Sequence, residues 1–195
     1  MAVALVFGTC IAVLGGRAIE RVSHQAQLAP QFSLVSTDGQ RYALSALRGK
    51  VVVLMFTATQ CPCSNDYLQR LAEFGRRYEH DPRVRVLMID TAARAGNALA
   101  MQRLRVQTSI TGQSFPTLID GERRIAAAYG VVRTPTVCVI DPSGELRYRG
   151  AFDDNRDERR VSDRYCDDAV AGLLQGQEPR TKFTQAFGGA VARSK

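Results

Sequence analysis

Histidine is scarce in this chain, which has only two in 195 residues, His24 and His80. Zinc sites in proteins usually take four ligands, mostly cysteine and histidine. Cys61 and Cys63 could offer two soft thiolates to Cu(I), but His80 lies about 25 Å away along a predicted helix that rises ~1.5 Å per residue. The sequence therefore predicts no metal site and no cofactor, and Cu(I) binding ranks behind the two thiol reactions that the cysteines suggest.

A clustered basic stripe is also absent, although the net charge is +7. Basic residues occur singly or in pairs such as Arg76-Arg77 and Arg123-Arg124, without the interleaved aromatic residues of nucleic-acid binders. Nucleic acid is therefore not a predicted partner. A composition with 45% hydrophobic and 23% charged residues excludes disorder and collagen-like repeats. A chain of 195 residues can bury a large enough hydrophobic core to be stable without disulfides. A pair of cysteines is therefore expected to have a reactive rather than a structural role.

The N-terminal segment is almost wholly apolar over residues 1–16. This is shorter than the ~20 residues of a transmembrane helix and fits the apolar region of a signal peptide. We expect residues 1–16 to direct export or to tether the protein to a membrane; the alternative is a helix buried against the domain of a cytoplasmic protein. The predicted organisation is a leader and linker over 1–29, one domain over 30–175 and a flexible tail over 176–195.

Between residues 30 and 175 strands and helices alternate. Short apolar runs predict buried strands, a four-three-four spacing of apolar residues after Cys63 predicts an amphipathic helix, and a turn at 141–144 predicts a hairpin. The stretch 108–114 contains threonine, serine and glycine and is interpreted as a loop. The expected fold class is α/β, with a mixed central sheet flanked by helices. The predicted strands are 51–56, 84–89, 136–140 and 146–148, and the later helices are 99–106, 123–129 and 161–174.

Cys61 is the strongest candidate for a reactive residue. It directly follows a predicted buried strand and directly precedes a helix, so its sulfur would lie at a helix N-terminus. Free N–H groups and the helix dipole stabilise a thiolate there. Pro62 would occupy the first helical position, where a missing N–H has no cost. The alternative, a small buried hydrophobic cysteine, fits poorly with two cysteines that flank a proline.

Three segments around these residues, 56–62, 129–136 and 139–150, resemble the redoxin branch of the thioredoxin superfamily. This group includes the alkyl-hydroperoxide-reductase-like and thiol-specific-antioxidant proteins. The resemblance implies a thioredoxin-like fold in which Thr134-Pro135 forms a cis-proline loop facing Cys61. It also implies that Pro62, Thr134 and Pro135 contact the substrate. The backbone of Thr134 would then pair with an extended substrate segment, by strand addition.

The motif departs from its relatives in ways that bear on activity. Thioredoxins have Cys-x-x-Cys, but the third residue after Cys61 is Ser64 and the second sulfur belongs to Cys63. Either Cys61 and Cys63 form a small, easily reduced disulfide ring, or Cys61 works alone through mixed disulfides. Peroxiredoxins place a threonine three residues before their cysteine and a proline seven before. Here those positions are Ala58 and Leu54, which argues against peroxide reduction.

The predicted function is therefore that of a thiol-disulfide oxidoreductase with Cys61 as nucleophile and Cys63 as its possible partner. Its expected partners are proteins or small thiols and disulfides, and its oligomeric state is left open. The alternative is a thiol-dependent peroxidase, and the third candidate is Cu(I) binding. Cys138 is expected to be a buried, inert thiol, and Cys166 either packs against the domain or acts as a resolving thiol.

Overall fold

The computed structural model describes residues 27–191. The strands are β1 (Ser33–Val35), β2 (Arg41–Ala43), β3 (Val51–Thr57), β4 (Val84–Asp90), β5 (Thr117–Ile119), β6 (Arg133–Thr134), β7 (Thr136–Ile140), β8 (Leu146–Gly150) and β9 (Gly189–Ala190). The helices are α1 (Pro62–Arg77), α2 (Ala98–Thr111), α3 (Arg124–Ala128) and α4 (Tyr165–Leu174), with 3-10 turns at Leu44–Leu47 and Glu158–Arg160.

The central sheet has five strands in the order β5-β4-β3-β7-β8. The pairs β3-β4 and β4-β5 are parallel, whereas β7 runs antiparallel to both β3 and β8. All seven residues of β3 are buried, as expected for a strand covered on both faces. The register pairs Thr57 with Asp90, so the carboxyl ends of β3 and β4 meet at one edge of the sheet. The mixed α/β sheet flanked by helices is confirmed.

Each face of the sheet carries its own hydrophobic core, because alternate residues of a strand point to opposite sides. On one face Val53 and Met55 pack with α1 and α4. On the other face Leu54 and Phe56 pack with α3 and with the segment that precedes β1. The helix α1 is therefore fixed along its length, with Leu71 and Phe74 fully buried, and its first turn is held at the edge where β3 ends.

Two predicted helix boundaries were wrong. The helix α2 continues to Thr111, through part of the stretch predicted as a loop. It ends only where Gly112 adopts the left-handed conformation and its N–H donates to the Ser109 carbonyl. The last helix begins at Tyr165 rather than at residue 161. Before it, the Asp154 carboxylate accepts the N–H of Ser162 (2.9 Å) and keeps that segment extended.

The segment after α4, predicted as a flexible tail, makes defined contacts with the domain as far as Val191. The Thr184 hydroxyl bonds to the Tyr148 hydroxyl (2.7 Å) and accepts the Ala151 N–H (2.9 Å). Further on, β9 pairs antiparallel with β6. The sequence did not indicate these contacts, because the segment carries no periodic apolar pattern.

The predicted leader falls mostly in residues 1–26, which lie outside the described part of the chain. Within residues 27–191 no helix is long and apolar enough to cross a membrane.

A buried ion pair holds the loop after β8 against α1. The Arg70 guanidinium donates to the Asp153 carboxylate at 2.5 Å, and the two side chains are 5% and 1% exposed. The Tyr67 hydroxyl also donates to Asp153 (3.1 Å), and Arg70 donates to the backbone oxygens of Asn155 and Arg156. The loop is therefore fixed beside the first turns of α1.

Replacing Arg70 with methionine should destabilise the fold by about 3–5 kcal/mol, because it leaves the Asp153 carboxylate buried without its partner. Urea unfolding followed by circular dichroism measures this free energy. The matched control is Arg83→Met, which breaks an exposed pair with Asp81 and should leave the unfolding midpoint nearly unchanged. Equal midpoints for the two variants would contradict the role of the buried pair.

Candidate active site

Cys61 lies at the junction of β3 and α1, as predicted. It is the N-cap residue of α1, and Pro62 occupies the first helical position. The Cys61 N–H donates to the Ala58 carbonyl (2.8 Å), which closes the turn after β3, and the Cys61 carbonyl accepts the N–H of Asn65 (3.1 Å). The thiol is half-buried. The sulfur is thereby placed at the amino end of a 16-residue helix.

The surroundings of Cys61 favour its thiolate. Burial raises the pKa of the thiol, but hydrogen bonds from the N–H groups of Ser64, Gly189 and Cys63 and from the Ser64 hydroxyl outweigh it, so the pKa lies below its ordinary value. This is the effect expected at a helix N-terminus. Ser64 is itself buried, and its oxygen accepts the N–H of Ala58 (3.3 Å), so its position relative to the sulfur is fixed.

The Thr134-Pro135 peptide bond is cis and lies opposite Cys61, where the resemblance placed it. The Thr134 carbonyl oxygen is 3.9 Å from the Cys61 sulfur and accepts its S–H. Thr134 is almost fully buried, and the Thr136 hydroxyl donates to the Arg133 carbonyl (2.7 Å). The loop therefore presents fixed backbone groups beside the thiol.

Cys63 lies in the first turn of α1 and is half-buried, and neither Cys61 nor Cys63 is in a disulfide. The neighbouring Asp66 forms an ion pair with Arg156, which belongs to the loop fixed by Arg70. The first turn of α1 therefore contacts two loops. Asp66 contacts the loop after β8, and Cys61 contacts the cis-proline loop.

A buried carboxylate at the end of β4 supports the turn before Cys61. Asp90 accepts the N–H of Thr59 (2.8 Å) and its hydroxyl (2.5 Å), and its other oxygen accepts the N–H groups of Ala92 and Ala93. Asp90 was not among the residues predicted from the sequence. The signal was available, because Asp90 ends an apolar strand and carboxyl ends of parallel strands meet at one edge of a sheet.

A second missed feature is the C-terminal Gly188-Gly189 pair, which lies directly against the two site elements. The Gly189 N–H bonds to the Cys61 sulfur, and Gly189 pairs with Thr134 in the β6-β9 ladder. Two consecutive glycines in a polar segment were the only sequence signal for this close approach.

The remaining described cysteines lie in the core. Cys138 is fully buried in β7, and burial raises its pKa to about 12. Cys166 is fully buried in the core between α1, α4 and the sheet, and burial also raises its pKa, so the packing interpretation is confirmed. Within residues 27–191 no three histidine, cysteine, aspartate or glutamate side chains cluster closely enough to hold a metal ion.

Comparison with known proteins gives the family. Residues 26–149 match the AhpC/TSA family. The chain belongs to the AhpC/TSA family. Among its curated relatives, the thiol-disulfide oxidoreductase ResA of Bacillus subtilis is 31% identical over 121 residues, which cover 60% of this chain and 62% of ResA. The thioredoxin-like protein YneN of Bacillus subtilis is 28% identical over 124 residues, 63% of this chain and 69% of YneN. The matched region thus spans less than two thirds of ResA.

Solved structures show that this AhpC/TSA-family chain has the thioredoxin-like fold. A hypothetical protein from Sinorhizobium meliloti superimposes with a TM-score of 0.76 at 24% identity, covering 86% of this chain and 93% of that one. A secreted disulfide oxidoreductase from Mycobacterium tuberculosis gives a TM-score of 0.51 at 24% identity, covering 60% and 80%. The fold implied by the sequence resemblance is confirmed.

Ser64→Ala should raise the pKa of Cys61, because it removes a hydrogen bond to the thiolate. The rate of alkylation by iodoacetamide at pH 7 should fall about 3- to 10-fold, while the rates of variant and wild type converge at a pH where both thiols are ionised. The rate is followed across pH by peptide mass spectrometry of Cys61. Ser109→Ala, on the exposed side of α2, is the control. An unchanged pH profile for Ser64→Ala would show that its hydroxyl does not stabilise the thiolate.

Proposed function

We propose that this protein is a thiol-disulfide oxidoreductase in which Cys61 is the nucleophile. The observation that carries the proposal is the position of its sulfur at the N-terminus of α1, among N–H groups that lower its pKa. A thiolate that is both stabilised and half-exposed is the form that attacks a disulfide. The name of the relative ResA supports the same class of reaction.

The proposed reaction begins when the Cys61 thiolate attacks one sulfur of a substrate disulfide. A new S–S bond forms between Cys61 and that sulfur, the substrate S–S bond breaks, and the leaving sulfur departs as a thiolate that takes up a proton. A second thiolate, from Cys63 or from an external thiol, then attacks the Cys61 sulfur of the mixed disulfide. A disulfide forms between Cys61 and that sulfur, the bond to the substrate breaks, and the substrate leaves as a thiolate that takes up a proton. Two electrons pass between the dithiol and disulfide partners, and no cofactor takes part.

We assign substrate contacts to Pro62, Thr134 and Pro135. Pro62 is exposed next to Cys61, and the backbone of Thr134 lies beside the sulfur. An extended peptide that formed backbone hydrogen bonds with Thr134 would place its disulfide next to the Cys61 thiolate. The partners are then proteins or small molecules that contain thiols or disulfides.

Export is part of the proposal. The apolar residues 1–16 would direct export or form a membrane tether, and one structure with the same fold is described as a secreted disulfide oxidoreductase. Disulfide exchange of this type suits an oxidising compartment outside the cytoplasm.

Peroxide reduction is the second candidate, and the match to the AhpC/TSA family favours it. In that reaction the Cys61 thiolate attacks the peroxide O–O bond, becomes a sulfenic acid and releases water or an alcohol. Ala58, three residues before Cys61, offers no hydroxyl to the peroxide, and its N–H is occupied by Ser64. Disulfide exchange therefore ranks first.

Treatment with stoichiometric oxidised glutathione should modify wild-type protein at Cys61 or leave a Cys61-Cys63 disulfide, because Cys61 is the activated thiol. Cys63→Ser should accumulate the glutathione adduct on Cys61 if Cys63 is the resolving thiol, and Cys61→Ser should not react. Intact-mass and peptide mass spectrometry distinguish these products, and a parallel treatment with hydrogen peroxide tests for sulfenic acid.

The buried Cys138 provides the control, because Cys138→Ala should react like the wild type. Reaction of Cys61→Ser at the wild-type rate would refute Cys61 as the nucleophile. Rapid formation of sulfenic acid with no reaction toward the disulfide would favour the peroxidase instead.

A further inference from the structure

The backbone edge of the cis-proline loop is occupied by the protein's own C-terminal segment. In the β6-β9 ladder Arg133 pairs with Ala190 and Thr134 with Gly189. The Val191 N–H donates to the Val132 carbonyl (2.9 Å), and the Arg133 guanidinium donates to the Gly188 carbonyl (2.9 Å). This is the edge at which an incoming extended peptide would pair.

The approach of this segment to the thiol is so close that only glycine fits. A Cβ atom on Gly189 would lie 2.7 Å from the Cys61 sulfur. A Cβ atom on Gly188 would lie 2.0 Å from the Thr134 oxygen and 3.3 Å from the Cys63 Cβ atom, and the Gly188 φ angle is +132°. The side-chain direction of residue 189 therefore points at the sulfur that a substrate cysteine must reach.

We propose that residues 187–191 are a built-in pseudosubstrate: they fill the peptide groove beside Cys61, and glycine takes the place of the reacting cysteine. The inference rests on the proposed function, because it assumes that Cys61 reacts with disulfides in extended peptides. It adds that such a substrate must displace β9 before it can pair with Thr134.

Residues 187–191 can separate from β6 while the rest of the domain stays folded. Its base is fixed at Thr184, where the hydroxyl bonds to Tyr148 and Ala151 and the backbone N–H donates to the Arg149 carbonyl (3.2 Å). Beyond Thr184, the segment is held by backbone hydrogen bonds to β6, by the exposed Arg133 side chain, by the contact of Gly189 with the Cys61 sulfur and by the partly buried Val191. Phe187 is 48% exposed. A substrate strand could replace those backbone bonds one for one.

The segment has two opposite effects on Cys61. It covers the sulfur, which slows any reagent that must approach from the Thr134 side. It also donates the Gly189 N–H to the sulfur, which helps to keep the thiol ionised. Displacing it should therefore make Cys61 more accessible and less acidic while the buried thiols of Cys138 and Cys166 stay unreactive. General unfolding would instead expose all three thiols.

Gly189→Val tests the proposal in the full-length chain, because the new side chain cannot fit against the Cys61 sulfur. If the open form makes up less than about a tenth of the wild-type molecules, full opening should raise the pH-independent alkylation rate at Cys61 at least about tenfold. The same variant should react faster with a short extended peptide whose cysteine carries a chromogenic thiol, with release of the thiol followed by absorbance. The midpoint of its alkylation profile should move to higher pH.

The matched control is Ala190→Val, which adds the same side chain one residue later, at an exposed position of the same strand, and should behave like the wild type. Arg133→Gln removes the bond to the Gly188 carbonyl without adding bulk, and should shift both rates in the direction of Gly189→Val by a smaller factor. Thermal melts check that each variant is folded. If Gly189→Val does not fold, the comparison of Arg133→Gln with the wild type tests the proposal.

The outcomes separate the two proposals. Alkylation of the wild type as fast as that of the opened variant would overturn the pseudosubstrate, whatever the disulfide activity. Faster alkylation combined with slower peptide exchange would also overturn it, because the segment would then assist the substrate. If opening speeds alkylation but neither protein exchanges with the peptide disulfide or with oxidised glutathione, the proposed function fails and the pseudosubstrate role fails with it.

Discussion

The amino end of α1 is the feature on which the site depends. The first N–H groups of a helix have no partner within the helix, and here they face the sulfur of the N-cap residue Cys61. This arrangement requires β3 to end at Thr57 and a short turn, residues 58–61, to connect it to the first residue of α1. Asp90 holds that turn through Thr59. The neighbouring strands β4 and β7 hold the end of β3 in the sheet, so the N–H groups of Cys63 and Ser64 keep their positions beside the sulfur.

The short strand β6 gives the site a second property. It has two residues and is followed directly by the cis-proline, so it presents backbone hydrogen-bonding groups next to the Cys61 sulfur. An uncovered strand edge is both a binding site and a risk of unwanted pairing. The C-terminal strand β9 covers this edge. Under the two proposals, protection of the thiol and recognition of a peptide would use the same hydrogen-bonding groups.

The excess of basic residues has a structural explanation in part. Several arginine side chains, one of them buried, donate to backbone carbonyls in loops and at helix ends, which satisfies acceptors that no secondary structure pairs. The arginines with such bonds are Arg70, Arg76, Arg105, Arg133 and Arg149. Arginine is suited to this work because its planar group carries five donors. Scattered single arginines, which gave no functional pattern in the sequence, are consistent with this role.

The sequence by itself determined the features that arise from neighbouring residues. The apolar runs of β3, β4 and β7 specified buried strands, and the Cys61-Pro62 junction specified an N-cap thiol, because strand burial and helix initiation are local. The pairing of Asp90 with Thr59 and the seating of Gly189 on Cys61 were decided only by the tertiary structure. These partners are 31 and 128 residues apart, and no local preference encodes contacts that exist only after the sheet has brought its strand ends together.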